Sequence, residues 1–250
     1  MKLIMAKDYQ EMSNKAADVI INQVKEKPNT VLGLATGGTV IGMYEALIQD
    51  HQKNNTSYKE VHSVNLDEYV GLEYTNQQSY HYYMNDQLFS HIDIQADNVI
   101  IPNGLAENID AACQEYEKAI AELGGVDLQI LGIGQNGHIA FNEPGTSFDS
   151  ITHKVELTES TRNANMRYFD SIDEVPTHAM TMGISTILKS KQILLLASGK
   201  SKAEAIYNFI NGEVHESNPA SALKNHPNVT IIADEEALSL VEDDKKKVLS

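Results

Sequence analysis

Short apolar runs of strand length recur along this chain, and between them lie stretches whose apolar residues return at helical spacing. Thr30 to Ala35 (TVLGLA) and Gln192 to Ala197 (QILLLA) read as buried strands, Val126 to Ile133 (VDLQILGI) as an apolar run of the same length, and Val229 to Ala233 as the last strand. Lys2 to Met5, Glu60 to Leu66, Asn98 to Ile101 and His153 to Leu157 read as further strands. Helices are predicted where Met12, Ala16, Val19, Ile20 and Val24, then Val40, Met43, Tyr44, Leu47 and Ile48, then Ile109, Ala112, Cys113, Tyr116 and Ile120, and finally Ile206, Phe209 and Ile210, line one face. Asp8 with Glu11 marks the start of the first of these.

Alternating strands and helices imply an α/β fold, a mostly parallel sheet covered by helices on both faces in a Rossmann-like three-layer arrangement. No low-complexity tract, repeat or cluster of Pro and Gly marks a seam, so residues 1–250 are expected to form a single domain. In such folds the loops that leave the strands gather along one edge, where ligands bind. Four connections therefore converge. Thr36, Gly37, Gly38 and Thr39 follow one strand and open a helix, an arrangement whose free N–H groups and helix dipole suit an anion. Asp67 and Glu68 end the next strand. The run LGIGQNGHIAFNEPG, Leu131 to Gly145, carries His138, which titrates near neutrality, and Glu143, placed to orient it. Ser198 to Lys202 (SGKSK) puts Lys202 in the first turn of a helix, a placement tolerable beside an anion.

Two familiar patterns are excluded by context. Gly132, Gly134 and Gly137 spell GxGxxG with Glu156 downstream, but Pro144 and Gly145 leave no room for the helix that receives a dinucleotide pyrophosphate. Gly199-Lys200-Ser201 lacks the glycine of a Walker loop, since Leu194 stands in its place.

The formal net charge of −16 repels nucleic acid and anionic membranes, so neither is expected as a partner. The placement of cations is correspondingly informative, and the only two arginines, Arg162 and Arg167, lie together in a polar, weakly patterned segment that reads as a mobile cover. Cys113, the single cysteine, reads as core and points to a reducing compartment. No apolar run reaches the length of a signal peptide core or a membrane span, so a soluble, cytoplasmic protein is expected. With no metal-binding motif and no cofactor signature, an anion seat, a carboxylate and a histidine suit acid–base chemistry on a small phosphorylated metabolite. Proton abstraction beside a carbonyl and sugar ring opening followed by isomerisation both fit.

VNLDEYVGL at Val64 to Leu72, LATGGT at Leu34 to Thr39, SYHYYM at Ser79 to Met84 and GxNGHIAFNEPG at Gly134 to Gly145 resemble the glucosamine-6-phosphate deaminases over nearly the whole chain. The resemblance implies conversion of glucosamine 6-phosphate and water to fructose 6-phosphate and ammonia, without metal or cofactor. It implies that His138 shuttles the ring-opening proton, that Glu143 hydrogen-bonds and polarises it, and that Asp67 moves a proton from C2 to C1. It further implies that Thr36, Gly37, Gly38, Thr39, Arg167 and Lys202 hold the phosphate, and it gives Arg162 no role. Asn136 stands where some relatives carry aspartate, so the pKa of His138 should be raised less than theirs. After NEPG only Lys154 is clearly cationic within SITHKVE, so strong activation by an N-acetylated sugar phosphate is not expected; a homo-oligomer is left open. A 6-phosphogluconolactonase, with a related GHxA loop, and a non-catalytic sugar-phosphate sensor are the rival readings.

Overall fold

The computed structural model describes residues 1–166 and 169–249. In chain order the elements are β1 (Lys2–Ala6), α1 (Tyr9–Glu26), β2 (Val31–Leu34), α2 (Ile41–Asn54), β3 (His62–Asn65), β4 (Asp67–Tyr69), α3 (Tyr80–Gln87), β5 (Val99–Ile100) and α4 (Ile109–Glu122). There follow β6 (Leu128–Gly132), β7 (His153–Glu156), α5 (Glu159–Asn165), β8 (His178–Thr181), α6 (Ile184–Leu188), β9 (Gln192–Ala197), α7 (Ala203–Asn211), β10 (Val229–Asp234) and α8 (Asp243–Leu249).

Seven strands form one parallel sheet in the order β1-β10-β9-β6-β2-β3-β5, with helices packed around it. The apolar runs become its central strands because their side chains meet other apolar groups on both sides: Ile130, Leu131, Leu194, Leu195, Leu196, Ile231 and Ile232 are all fully buried. Truncating one of them, for instance Leu195→Ala, should cost roughly 2–5 kcal/mol. Asp127, just before β6, fastens this strand to its neighbours at the far edge. It accepts from the Val31 amide at 2.8 Å and from Lys27 and Lys191, both at 2.7 Å, and against its burial these bonds hold its carboxyl down to about 2.

Chain order reverses between β6 and β2. From β2 the sheet grows outward through β3 and β5, and from β6 it grows the other way through β9 and β10. The two connections that leave those central strands at their carboxyl ends are the TGGT turn and the GHIAFNEPG loop. They therefore flank the crevice that such a reversal opens.

A second, antiparallel sheet, β4-β8-β7, was not anticipated. Leu66 separates β3 from β4, so Asp67 begins a new strand instead of closing a strand-to-helix loop. The strand predicted from His153 exists as β7 but belongs to this small sheet, where Val155 faces Ala179 across the ladder. β8 reads HAMT, too short and too mixed to signal itself. Met84 of α3 and Leu88, its C-cap, are buried in the core, whereas Tyr82 is 37% exposed. No helix among the described residues is long and apolar enough to cross a membrane.

Candidate active site

The loop after β6 turns back on itself instead of entering a helix, in keeping with the rejection of a dinucleotide site. Gly134 N–H donates to the His138 carbonyl at 2.9 Å, and Gly137, at φ +84°, makes the turn between them. The imidazole of His138 lies directly over Gly134, where any Cβ would come within 2.2 Å of the ring. Gly134 and Gly137 of the GxGxxG pattern thus serve the histidine, while Gly132 only ends β6.

His138 does not bond Glu143 directly, as the resemblance implied. Their nearest atoms, Nδ1 and Oε2, are 3.6 Å apart, and Asn136 stands between them. Asn136 Nδ2 donates to Glu143 Oε2 at 2.7 Å, and Asn136 Oδ1 is 2.7 Å from His138 Nδ1. Glu143 accepts only, which fixes the asparagine's amide orientation; its Oδ1 must then accept, so Nδ1 carries the proton. The remaining lone pair is on Nε2. The other Glu143 oxygen, Oε1, accepts from Thr161 Oγ1 at 2.7 Å, so α5 joins the chain of bonds. Burial lowers the pKa of His138, Glu143 opposes that and Lys202 adds to it. The net direction is downward from 6.5, whereas a smaller rise was expected; desolvation outweighs the single carboxylate.

Asp67 is 7% exposed and Glu68 fully buried. Glu68 takes over the start of α3, accepting from the amides of Tyr80 and His81, each at 3.0 Å, and from His81 Nδ1 at 2.7 Å. Desolvation first, and the neighbouring Glu68 charge second, push Asp67 up to about 8. Its register partner on β8 is Thr181, whose hydroxyl accepts the Phe141 amide at 3.1 Å. Asn142 Nδ2 reaches the Met182 carbonyl at 2.9 Å. The His138 loop is thus fastened to the strand lying beside Asp67. Tyr80 lies between the parts: burial raises its pKa, with Asp67 adding to the rise and Thr36 opposing it, and its ring stacks on Phe141 with centres 6.3 Å apart.

The TGGT turn is open. A Cβ at Gly37 or Gly38 would meet nothing within 4 Å, and only Gly37 has positive φ. Neither protein packing nor backbone conformation therefore requires glycine at Gly38. Val40 rather than Thr39 occupies the N-cap of α2, and it provides no side-chain bond. Lys202 occupies the N-cap of α7, one position before the first turn expected of it, and burial lowers its pKa. Its positive charge adds to the lowering of the His138 pKa.

Arg162 donates from Nη2 to the carbonyls of Ile172 and Val175, at 2.8 and 3.1 Å, and so pins its own connection. Arg167 lies outside the described residues. The roles of Thr161, Tyr80 and Glu68 escaped the sequence. Among the described residues no group of three or more His, Cys, Asp or Glu side chains gathers as a metal site. A cleft of about 600 Å³ opens between α7 and the back of the loop, lined by Asn136, Gly137, Glu204 and His215 among others. It reaches neither Asp67 nor the TGGT turn nor Lys202, so the chemistry is not assigned to it.

A buried carboxyl raised to about 8, an imidazole with one nitrogen locked, one turn with open amides and the Lys202 charge define a site for acid–base chemistry on a small anionic molecule; the amides of Gly199 and Lys200 in the second turn are instead taken by the carboxylates of Asp234 and Glu236. Comparison with known proteins agrees with this class: the model of the glucosamine-6-phosphate isomerases/6-phosphogluconolactonase family matches residues 6–232, and the chain belongs to that family. A glucosamine-6-phosphate deaminase of Geobacillus sp. (strain WCH70) is 59% identical over 99% of both chains. Glucosamine-6-phosphate deaminase 1 of Bacillus subtilis (strain 168) is 55% identical over 96% of this chain and 99% of its own. A solved structure of a monomeric glucosamine-6-phosphate deaminase superposes with TM-score 0.94 at 55% identity, covering 96% of this chain and 100% of that one. The 6-phosphogluconolactonase of Trypanosoma cruzi, at 20% identity and TM-score 0.79 over 96% of each chain, shares the fold.

Proposed function

We propose that this chain converts glucosamine 6-phosphate and water to fructose 6-phosphate and ammonia. The observation that carries the reading is the pairing, at one edge of the sheet, of a buried carboxyl poised near neutral pH with an imidazole whose Nε2 is left basic. Full-length identity to deaminases supports it.

In this reading Thr36, Gly37, Gly38, Thr39, Lys202 and Arg167 take the phosphate. His138 Nε2 accepts the anomeric hydroxyl proton and returns it to the ring oxygen, opening the sugar. Glu143, acting through Asn136, stabilises the imidazolium that forms in between. Asp67 then removes the proton from C2 and delivers it to C1. The electron pair of the C2–H bond passes through an enolamine and leaves an imine at C2. Water adds there and the nitrogen departs as ammonia, a net hydrolysis of the C–N bond. The free Asp67 carboxyl is held neutral by burial; the ammonium on C2, brought beside it, favours the ionised form that acts as base.

Incubating the purified protein with glucosamine 6-phosphate and measuring ammonia tests the proposal, with 6-phosphogluconolactone hydrolysis as the parallel assay. Ammonia release with saturation kinetics is expected. Lactone hydrolysis without ammonia would transfer the chain to the rival activity.

A further inference from the structure

The TGGT turn is held by side chains to which the reading above gives no part. Tyr83, on α3, donates its hydroxyl to the Gly37 carbonyl at 2.8 Å. Tyr9, the first residue of α1, donates its hydroxyl to the Gly38 carbonyl at 2.9 Å and accepts from the Gly42 amide at 2.8 Å. Two consecutive carbonyls of the most flexible part of the turn are thus each engaged by a tyrosine, and the two rings come from different helices.

We propose that Tyr9 and Tyr83 are positioning residues that pre-set this turn to receive a phosphate group, an inference that rests on the phosphate role assigned to it above. The reason is the planarity of the peptide unit. A trans peptide directs its C=O and the following N–H to opposite sides. Holding the Gly37 carbonyl toward Tyr83 turns the Gly38 N–H the other way, and holding the Gly38 carbonyl toward Tyr9 does the same for the Thr39 N–H. Among the described residues neither N–H has a protein partner. Adjacent amides presented in this manner make an anion seat.

Glycine supplies the need for a clamp. Gly37 sits at φ +99° and both glycines are exposed, with no side chain to limit rotation. An unclamped Gly-Gly turn samples many orientations, and a phosphate that must select one binds more weakly in proportion to the population of that state. The tyrosines shift that cost from binding to folding. The Tyr9 bond to Gly42 also supplies the cap that Val40 lacks, so Tyr9 has a structural duty as well. The Tyr83 bond to the turn involves no helix N–H, and so separates the two roles.

The test uses Tyr9→Phe, Tyr83→Phe and the double variant, which keep the rings and remove only the hydroxyls. Binding of inorganic phosphate is followed by titration calorimetry, with KM and kcat for glucosamine 6-phosphate alongside and thermal melting as the check on folding. Each substitution should weaken phosphate binding about threefold to tenfold, as expected for one hydrogen bond. The double variant should approach the product of the two, with KM following and kcat falling less than KM rises. A wild-type phosphate affinity in the double variant would overturn the clamp. So would a loss seen only in melting temperature and in the fraction of active protein. Should Tyr9→Phe fail to fold, Tyr83→Phe alone decides. If the wild type released no ammonia, the proposed reaction would fall while the phosphate titration still judged the clamp. If ammonia release were normal and phosphate affinity did not move, the clamp would fall by itself.

Discussion

Replacing Asp67 by asparagine should abolish ammonia release and at the same time stabilise the fold, by an amount that grows with pH. The carboxyl is pushed from 3.8 to about 8, first by burial and then by Glu68. Between those two values the native chain keeps a proton that the unfolded chain has released. Stability therefore falls as pH rises through that window, is unaffected by this group below pH 3.8, and carries the full penalty above pH 8. At 1.36 kcal/mol per pH unit, an upper figure for the whole penalty is ~6 kcal/mol. Asparagine mimics the protonated acid and never pays it.

Only the part of the window above pH 5 is convenient to measure. Between pH 5 and pH 9 the advantage of Asp67→Asn over the wild type should grow by up to about 4 kcal/mol, from three pH units at the same rate. Urea unfolding of both proteins at pH 5, 7 and 9 reads this directly, provided the slopes with denaturant agree. In parallel, kcat/KM of the wild type should climb as pH rises toward 8, because the free enzyme must ionise Asp67 before it acts as base. A stability gap independent of pH, or one that narrows toward pH 9, would refute the account of Asp67 as a carboxyl strained by burial. Ammonia release by the variant at a rate near that of the wild type would refute its role as the base.

Substitutions at three further positions probe the histidine relay and the phosphate. Asn136→Asp places a second carboxylate against Nδ1, so the His138 titration followed by NMR should move upward; an unchanged or lower midpoint would refute the relay geometry. Thr161→Val removes the donor to Glu143 Oε1 and should lower kcat/KM several-fold, on the order of one hydrogen bond, with Thr161→Ser restoring it. Equal impairment by serine would show that the hydroxyl is not what matters. Lys202→Ala should raise KM at least about tenfold through loss of a charged contact, and should also raise the His138 midpoint, since the Lys202 charge now lowers it. An unmoved KM would remove Lys202 from the phosphate site.

The parallel sheet was legible because its central strands are apolar on both faces, and apolar runs of strand length set between helical patterns have few other uses. The loops were legible for a different reason. Glycine, histidine and adjacent carboxylates at strand ends serve no core, and the fold rule for parallel sheets says where such ends meet. What stayed hidden depends on contacts between distant segments. The four residues of β8 carry no pattern of their own and become a strand only because β4 and β7 lie on either side. The burial of Glu68 is invisible in DEY, since a carboxylate there is acceptable only once the amides of Tyr80 and His81 arrive to receive it. The position of Asn136 between His138 and Glu143 likewise follows from the loop doubling back over Gly134, and the resemblance had given Glu143 the contact that Asn136 makes.

That hidden sheet also explains how the site holds its geometry. A parallel sheet brings its loops to one edge without fixing their spacing, because each loop is tied only to its own strand. Here β8 ties them to each other: it pairs Asp67 through Thr181, and the Thr181 hydroxyl and Met182 carbonyl receive the loop that presents His138. The same small sheet continues through β7 toward α5, whose Thr161 holds Glu143. A proton to be lifted from C2 and a ring to be opened at C1 require a base and a shuttle one bond length out of step, a tolerance that two independent loops would not keep. One short strand bonded to both supplies the common reference, so changes in β8 should disturb the two proton transfers together, whereas changes in either loop should disturb one.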